Sequence, residues 1–128
     1  MKVHIPLGEN RNSHIGLFSN AWPSARKDFR TPGDESWKIY AMALRDLVVS
    51  GDSAVIVKGL ADENRQVRAI CARALGFLRS EDSVSDLSAA LCGDEWATVR
   101  LITADSLGMI YSDYAIESLR SAKKSEEE

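Results

Sequence analysis

The chain has 128 residues, 45% of them hydrophobic and 27% charged, with 16 Lys and Arg against 19 Asp and Glu for a net charge of -3. That length fits one domain around one core, and that composition excludes disorder for the bulk of the chain. No apolar run reaches membrane-spanning length, the mildly acidic balance argues against a nucleic-acid scaffold, and two cysteines, Cys71 and Cys92, are too few for a disulfide framework.

Residues 1–33 read as an irregular N-terminal arm. Val3, Ile5 and Leu7 alternate with Lys2, His4 and Pro6, the pattern of an extended segment. Ile15, Leu17, Phe18 and Trp22 are apolar enough to dock, while Pro23, Pro32 and Gly33 interrupt any long helix. The arm is expected to cover the flank of the first repeat or to bind a partner. Its first residues lack the apolar stretch and small-residue cleavage site of a signal peptide, so a cytoplasmic location is expected.

From residue 34 onward the chain repeats itself. Asp62-Glu63, Val67-Arg68, Ala72 and Leu75-Gly76 recur 32 residues later as Asp94-Glu95, Val99-Arg100, Ala104 and Leu107-Gly108. Leu78, Val84 and Leu87 match Ile110, Ile116 and Leu119 at the same offset. A weaker upstream copy, with a period of 28, sets Asp34, Ile39, Met42 and Leu47 against Asp62, Val67, Ile70 and Leu75. A fixed period of this length is the signature of stacked supersecondary units, each too small to bury its apolar face alone.

Each copy reads as a helical hairpin, with boundaries near 34–61, 62–93 and 94–124. In the central copy Val67, Ile70, Cys71, Ala74, Leu75 and Leu78 form one helical stripe, repeated as Val99, Ile102, Thr103, Ser106, Leu107 and Ile110. Asp62 and Asp94 are the expected N-caps. Ser83 with Asp86 resembles a capping box, Gly93 is a stop, and Gly51-Asp52 supplies a stop followed by a new cap. Gly76 and Gly108 fall late in a helix, which implies close approach of a neighbouring helix. Arg73 and Asp105 share one repeat position and are expected to pair across adjacent helices. Residues 125–128 read as a charged tail that frays.

The pattern Asp62-x4-Val67-Arg68-x3-Ala72-x2-Leu75-Gly76, repeated from Asp94 to Gly108, resembles a HEAT repeat, of the short type first noted in phycobilin lyases. The resemblance covers roughly residues 34–122. It implies an all-α fold, a right-handed α-solenoid of about three helical hairpins behind the non-repeat arm. It also implies a ladder between repeats, carried here by Asp62, Arg68, Asp94 and Arg100. The first hairpin departs from it, with Tyr40 where Arg68 and Arg100 stand, as suits a terminal repeat.

The chemistry of known catalysts is missing from the pattern. There is no phosphate-cradling glycine loop and no metal-ligand spacing, and His4 and His14 both lie in the arm. The His-Glu pairs of HEAT-type iron hydroxylases are absent. The helices that would line the concave face offer Lys58, Ser85, Asp86, Ser88, Glu117, Ser118 and Arg120, too few clustered cations to grip a phosphate backbone. No catalytic, cofactor or metal site is therefore expected.

The expected function is a non-catalytic scaffold or adaptor that presents a solenoid surface to another protein, with neither nucleic acid nor membrane as partner. The candidate contact residues are Trp37, Trp96, Tyr111 and Tyr114, with Asp86 and Arg120 on the concave side. Trp96 stands out because it lies in the first turn of a helix, off the apolar stripe, at the repeat position of Asn64. Two alternatives remain open: a chromophore-handling enzyme subunit similar to phycobilin lyases, and a piece of a longer structural solenoid or a homo-oligomer joined through the arm or the last hairpin.

Overall fold

A computed structural model describes the backbone of residues 36–127 and the side chains of residues 40–126. The expectations for the arm, residues 1–33, and for the side chain of Trp37 lie outside the described residues. Six α-helices follow in order: α1 (Ser36–Ser50), α2 (Ser53–Ile56), α3 (Arg65–Phe77), α4 (Val84–Gly93), α5 (Ala97–Ile110) and α6 (Asp113–Glu127). Short 3-10 turns, Val57–Ala61 and Glu81–Ser83, follow α2 and precede α4.

The elements form two layers. The first helices α1, α3 and α5 stack side by side, with α3 against α5 the most extensive contact among the described helices. The 3-10 turn Val57–Ala61, α4 and α6 stack beneath them as the second layer. The architecture is an all-α solenoid. Its core is the apolar stripe of each helix merged into one interior: Ala43 and Leu47 from α1, Ile56 from α2, Val67, Ile70, Cys71, Ala74 and Leu75 from α3, Val84 and Leu87 from α4, and Leu107 and Ile110 from α5. The middle helix is sandwiched between two neighbours, so even Arg68, Ala69 and Ala72, off the stripe, are buried.

The repeat is visible in the backbone itself. Gly51, Arg79 and Tyr111 end the three first helices, and each takes a left-handed conformation, with φ of 64°, 51° and 49°. The helix must turn back there, and the left-handed residue lets the last carbonyls find amide donors, as when Arg79 N donates to Gly76 O at 3.0 Å. Glycine takes this conformation freely, whereas arginine and tyrosine pay a steric cost.

Several local expectations are corrected. The N-cap of α3 is Asn64, not Asp62: its Oδ1 accepts from the amides of Gln66 at 2.8 Å and Val67 at 3.4 Å. The N-cap position of α5 is held by Trp96, not Asp94, and it has no side-chain cap bond. Both aspartates act two residues earlier, where Asp62 Oδ1 accepts from Asn64 N at 2.8 Å and Asp94 Oδ1 from Trp96 N at 2.9 Å. They shape the entry turn and leave the cap to the residue that follows. No Ser83 capping box forms, because the Ser83 hydroxyl pairs with that of Ser80 at 2.7 Å inside the 3-10 turn. Gly51-Asp52 does behave as stop and cap, with Asp52 Oδ1 accepting from Val55 N at 3.2 Å. The second half of the first hairpin is the broken pair α2 and 3-10 turn, and α6 continues through the charged segment as far as Glu127.

Candidate functional site

The interface between the second and third hairpins is built from one face of α3: Arg68, Ala69, Ala72, Arg73 and Gly76. Arg68 is buried, and its guanidinium is almost fully used. Nη1 donates to the carbonyls of Asp62 at 2.9 Å and Glu63 at 3.2 Å, tying the helix to its own entry turn. Nε and Nη2 then meet the carboxylate of Asp94 in the next repeat at 2.9 and 3.3 Å. Glu95 adds a looser contact at 3.7 Å from the exposed rim. A buried arginine survives only when its donors are matched in this way.

Further along the same face the helices nearly touch. A Cβ placed on Gly76 would lie 2.8 Å from the Cα of Ser106, closer than real side chains tolerate. Ser106 donates its hydroxyl to Ala72 O at 2.7 Å, which its proximity to the glycine makes possible. Arg73 and Asp105 form the expected pair, at 3.6 Å and partly exposed.

One repeat on, the corresponding face of α5 is Arg100, Leu101, Ala104, Asp105 and Gly108. Arg100 anchors on its own entry turn just as Arg68 does, Nη1 donating to Asp94 O at 2.7 Å. No carboxylate among the described residues takes the place that Asp94 takes for Arg68. Leu101 is 64% exposed, where its counterpart Ala69 is buried. Nothing lies within 4 Å of a Cβ on Gly108, so the expected close approach there is overturned: no hairpin of the described chain stacks on this side of α5.

Of the residues singled out for binding, Trp96 is half-buried and lies under Arg65, whose guanidinium carbon is 4.6 Å from the ring centroid. Tyr111 and Tyr114 stand out in solvent at the turn between α5 and α6, 77% and 76% exposed. Asp86 on α4 and Arg120 on α6 are exposed. Asp86 also lines an open depression of about 480 Å³ between α4 and the 3-10 turn Val57–Ala61, together with Lys58, Leu60 and Ala90. Tyr40, at the ladder position of α1, packs against the core. Leu101 and Gly108 were not singled out for binding from the sequence: they are exposed, with Arg100 and Ala104 half-buried, where the counterparts Arg68, Ala69, Ala72 and Gly76 are buried, a difference that the nearly identical residues of the two repeats do not carry.

The reactive groups give little chemistry. Burial, and secondarily the Asp62 charge, push the Cys71 thiol well above its ordinary value of 9.0, so it stays protonated and unreactive at neutral pH. Cys92 is exposed, and both cysteines are free. No group of three metal-ligating side chains occurs among the described residues, and no described helix is long and apolar enough to cross a membrane.

No curated protein and no solved structure matches the chain. A family model described as HEAT repeats matches residues 32–108 and 53–128, across most of the sequence. With the period, the layered hairpins and the arginine–aspartate rung, that match carries the conclusion: the chain belongs to the HEAT-repeat family.

Proposed function

We propose that the protein is a non-catalytic interaction module that binds another protein through the aromatic residues around α5. HEAT repeats are helical repeats often used for such contacts, and the fold alone does not choose the surface. The observation that carries the reading is Trp96. Its counterpart Asn64 caps α3 with two amide bonds, whereas Trp96 leaves α5 without a side-chain cap and remains partly in solvent. Such a cap is worth about 1 kcal/mol, so a half-exposed tryptophan here works against local stability. Residues that break a local rule in this way concentrate at functional positions, and tryptophan and tyrosine are enriched at binding hot spots. Tyr111 and Tyr114 at the other end of α5 extend the aromatic surface, and Asp86 and Arg120 offer charges on the second layer. Two free thiols fit a reducing, cytoplasmic setting.

The test is quantitative capture with the wild type and the variants Trp96→Asn and Tyr111→Gly. Both variants restore the residue type found at the same position in another repeat, so the fold survives. Loss of a captured protein in both, at unchanged or higher Tm, is the expected result. Equal recovery of every captured protein would overturn the proposal.

A further inference from the structure

We infer that the edge of the solenoid formed by the three turns that end α1, α3 and α5 is a docking site for a basic, proline-rich segment of a partner protein, extended and carrying an arginine at every third residue. The inference rests on the reading of the chain as an interaction module and names the chemistry of the partner.

Two separate features share this edge. The first is apolar. Val49 near the end of α1 and Phe77 at the end of α3 hold the same repeat position, and they are 77% and 51% exposed. Tyr111 and Tyr114 in the third turn are as open as Val49. A single such residue is ordinary, but one edge exposing them in every repeat marks a contact surface. The second feature is charge. Asp52, Glu81, Asp82 and Asp113 are exposed in the same three turns, against the lone cation Arg79. None of the four carboxylates forms an ion pair among the described residues. Acids at a helix entry suit the free amides there, as Asp52 does for Val55 N. That need accounts for the carboxylates and leaves the exposed apolar side chains unexplained.

The charge selects the occupant. A negative edge repels nucleic acid and anionic lipid, whereas a guanidinium pairs with carboxylates and stacks on aromatic faces. The spacing selects its form. Packed helices lie about 8–10 Å apart, and a polyproline II segment advances about 9 Å per three-residue turn. Laid across the three turns, such a segment brings one arginine to each repeat and its prolines to Val49, Phe77 and Tyr111. Its stiff backbone also has little entropy to lose on docking. The edge runs along the direction of stacking, so a repeat added at either end would lengthen it and not cover it. The arm of this chain fits less well. Lys27 and Arg30 stand three residues apart, but Asp28 lies between them and residues 24–31 contain no proline. The arm also enters α1 at its other end, a 15-residue helix or about 22 Å away.

The probe is a synthetic peptide of five Pro-Pro-Arg triplets, titrated into the full chain at low ionic strength. Saturable binding that weakens with added salt is expected. Tyr114→Ser should weaken it by about tenfold. Glu81→Gln with Asp82→Asn should weaken it by about two- to fivefold per charge. All three side chains are exposed, so the Tm should hold. A peptide with the same number of arginines, placed at every fourth residue, should bind more weakly than the triplet peptide. Equal affinity for the two peptides, or triplet binding that survives both variants, would overturn the inference. The exchange Lys27→Asp with Asp28→Lys keeps the net charge and breaks the spacing in the arm. A rise in peptide affinity on that exchange would make the arm the occupant and overturn the assignment to a partner. The capture experiment turns on Trp96 at the other end of α5 and on whole proteins, so its failure and the failure of the peptide titration are distinguishable.

Discussion

The faces of α3 and α5 carry nearly the same residues and lead different lives. Arg68, Ala72 and Gly76 are buried against the next hairpin, while Arg100 is half-buried, Ala104 is half-buried and Gly108 is exposed. The same arginine is a buried, fully matched strut in one repeat and a singly anchored side chain in the next. A glycine is a steric necessity at residue 76 and a liability at residue 108. The comparison teaches that in a repeat protein a residue's energetic role is set by whether its neighbour exists, not by its identity.

The largest effect that sharpens this contrast belongs to the arginines. Arg68→Ala strands the Asp94 carboxylate in a buried setting and frees two carbonyls, so chemical denaturation should show a loss of about 3–5 kcal/mol. Arg100→Ala, at the open end, should cost only about 0–1 kcal/mol. Equal losses would break the comparison.

The glycines come next. Gly76→Ala forces the Ser106 backbone to move and should destabilise by about 1–3 kcal/mol. Gly108→Ala meets nothing and gains helix propensity, so it should stabilise by about 1 kcal/mol. The opposite signs, read as Tm shifts of one substitution at two equivalent positions, are the sharpest form of the test.

Smaller effects lie at the ends of α5. Tyr111→Gly relieves a left-handed tyrosine and should stabilise by about 1 kcal/mol in thermal unfolding. Trp96→Asn restores a cap worth about 1 kcal/mol while losing a ring contact with Arg65 worth about 0.5–1 kcal/mol, so stability should hold nearly constant.

An effect confined to alkaline pH separates the buried sides of the two helices. Cys71 and Thr103 hold the same position, but only the thiol titrates. Its raised folded value means that the unfolded chain ionises first. The stabilisation is therefore complete below the ordinary value of 9.0 and is lost as pH rises past it, with a slope of up to about 1.4 kcal/mol per pH unit. Cys71→Thr, which installs the residue of the sister repeat, should flatten stability between about pH 9 and 10 in denaturant titrations.

Much of this was legible before any coordinates. The 32-residue period located the helices, and the stripe of Val67, Ile70, Cys71, Ala74 and Leu75 gave the core of α3 because burial on one side imposes helical spacing. The Arg73–Asp105 pair followed from register alone. The caps did not, because Asp62 and Asn64 are both good capping residues two positions apart. What chose between them was Arg68, which holds the carbonyls of Asp62 and Glu63 and keeps that stretch out of the helix.

The sequence by itself determined the repeat, the helical class and the apolar stripes, since each is a matter of periodicity within a single element. Only the tertiary structure decided that Gly76 is packed and Gly108 bare, that Arg68 is matched and Arg100 left open, and that α5 turns a face outward. Those are properties of neighbours, and two nearly identical strings of residues carry no record of which has something stacked against it.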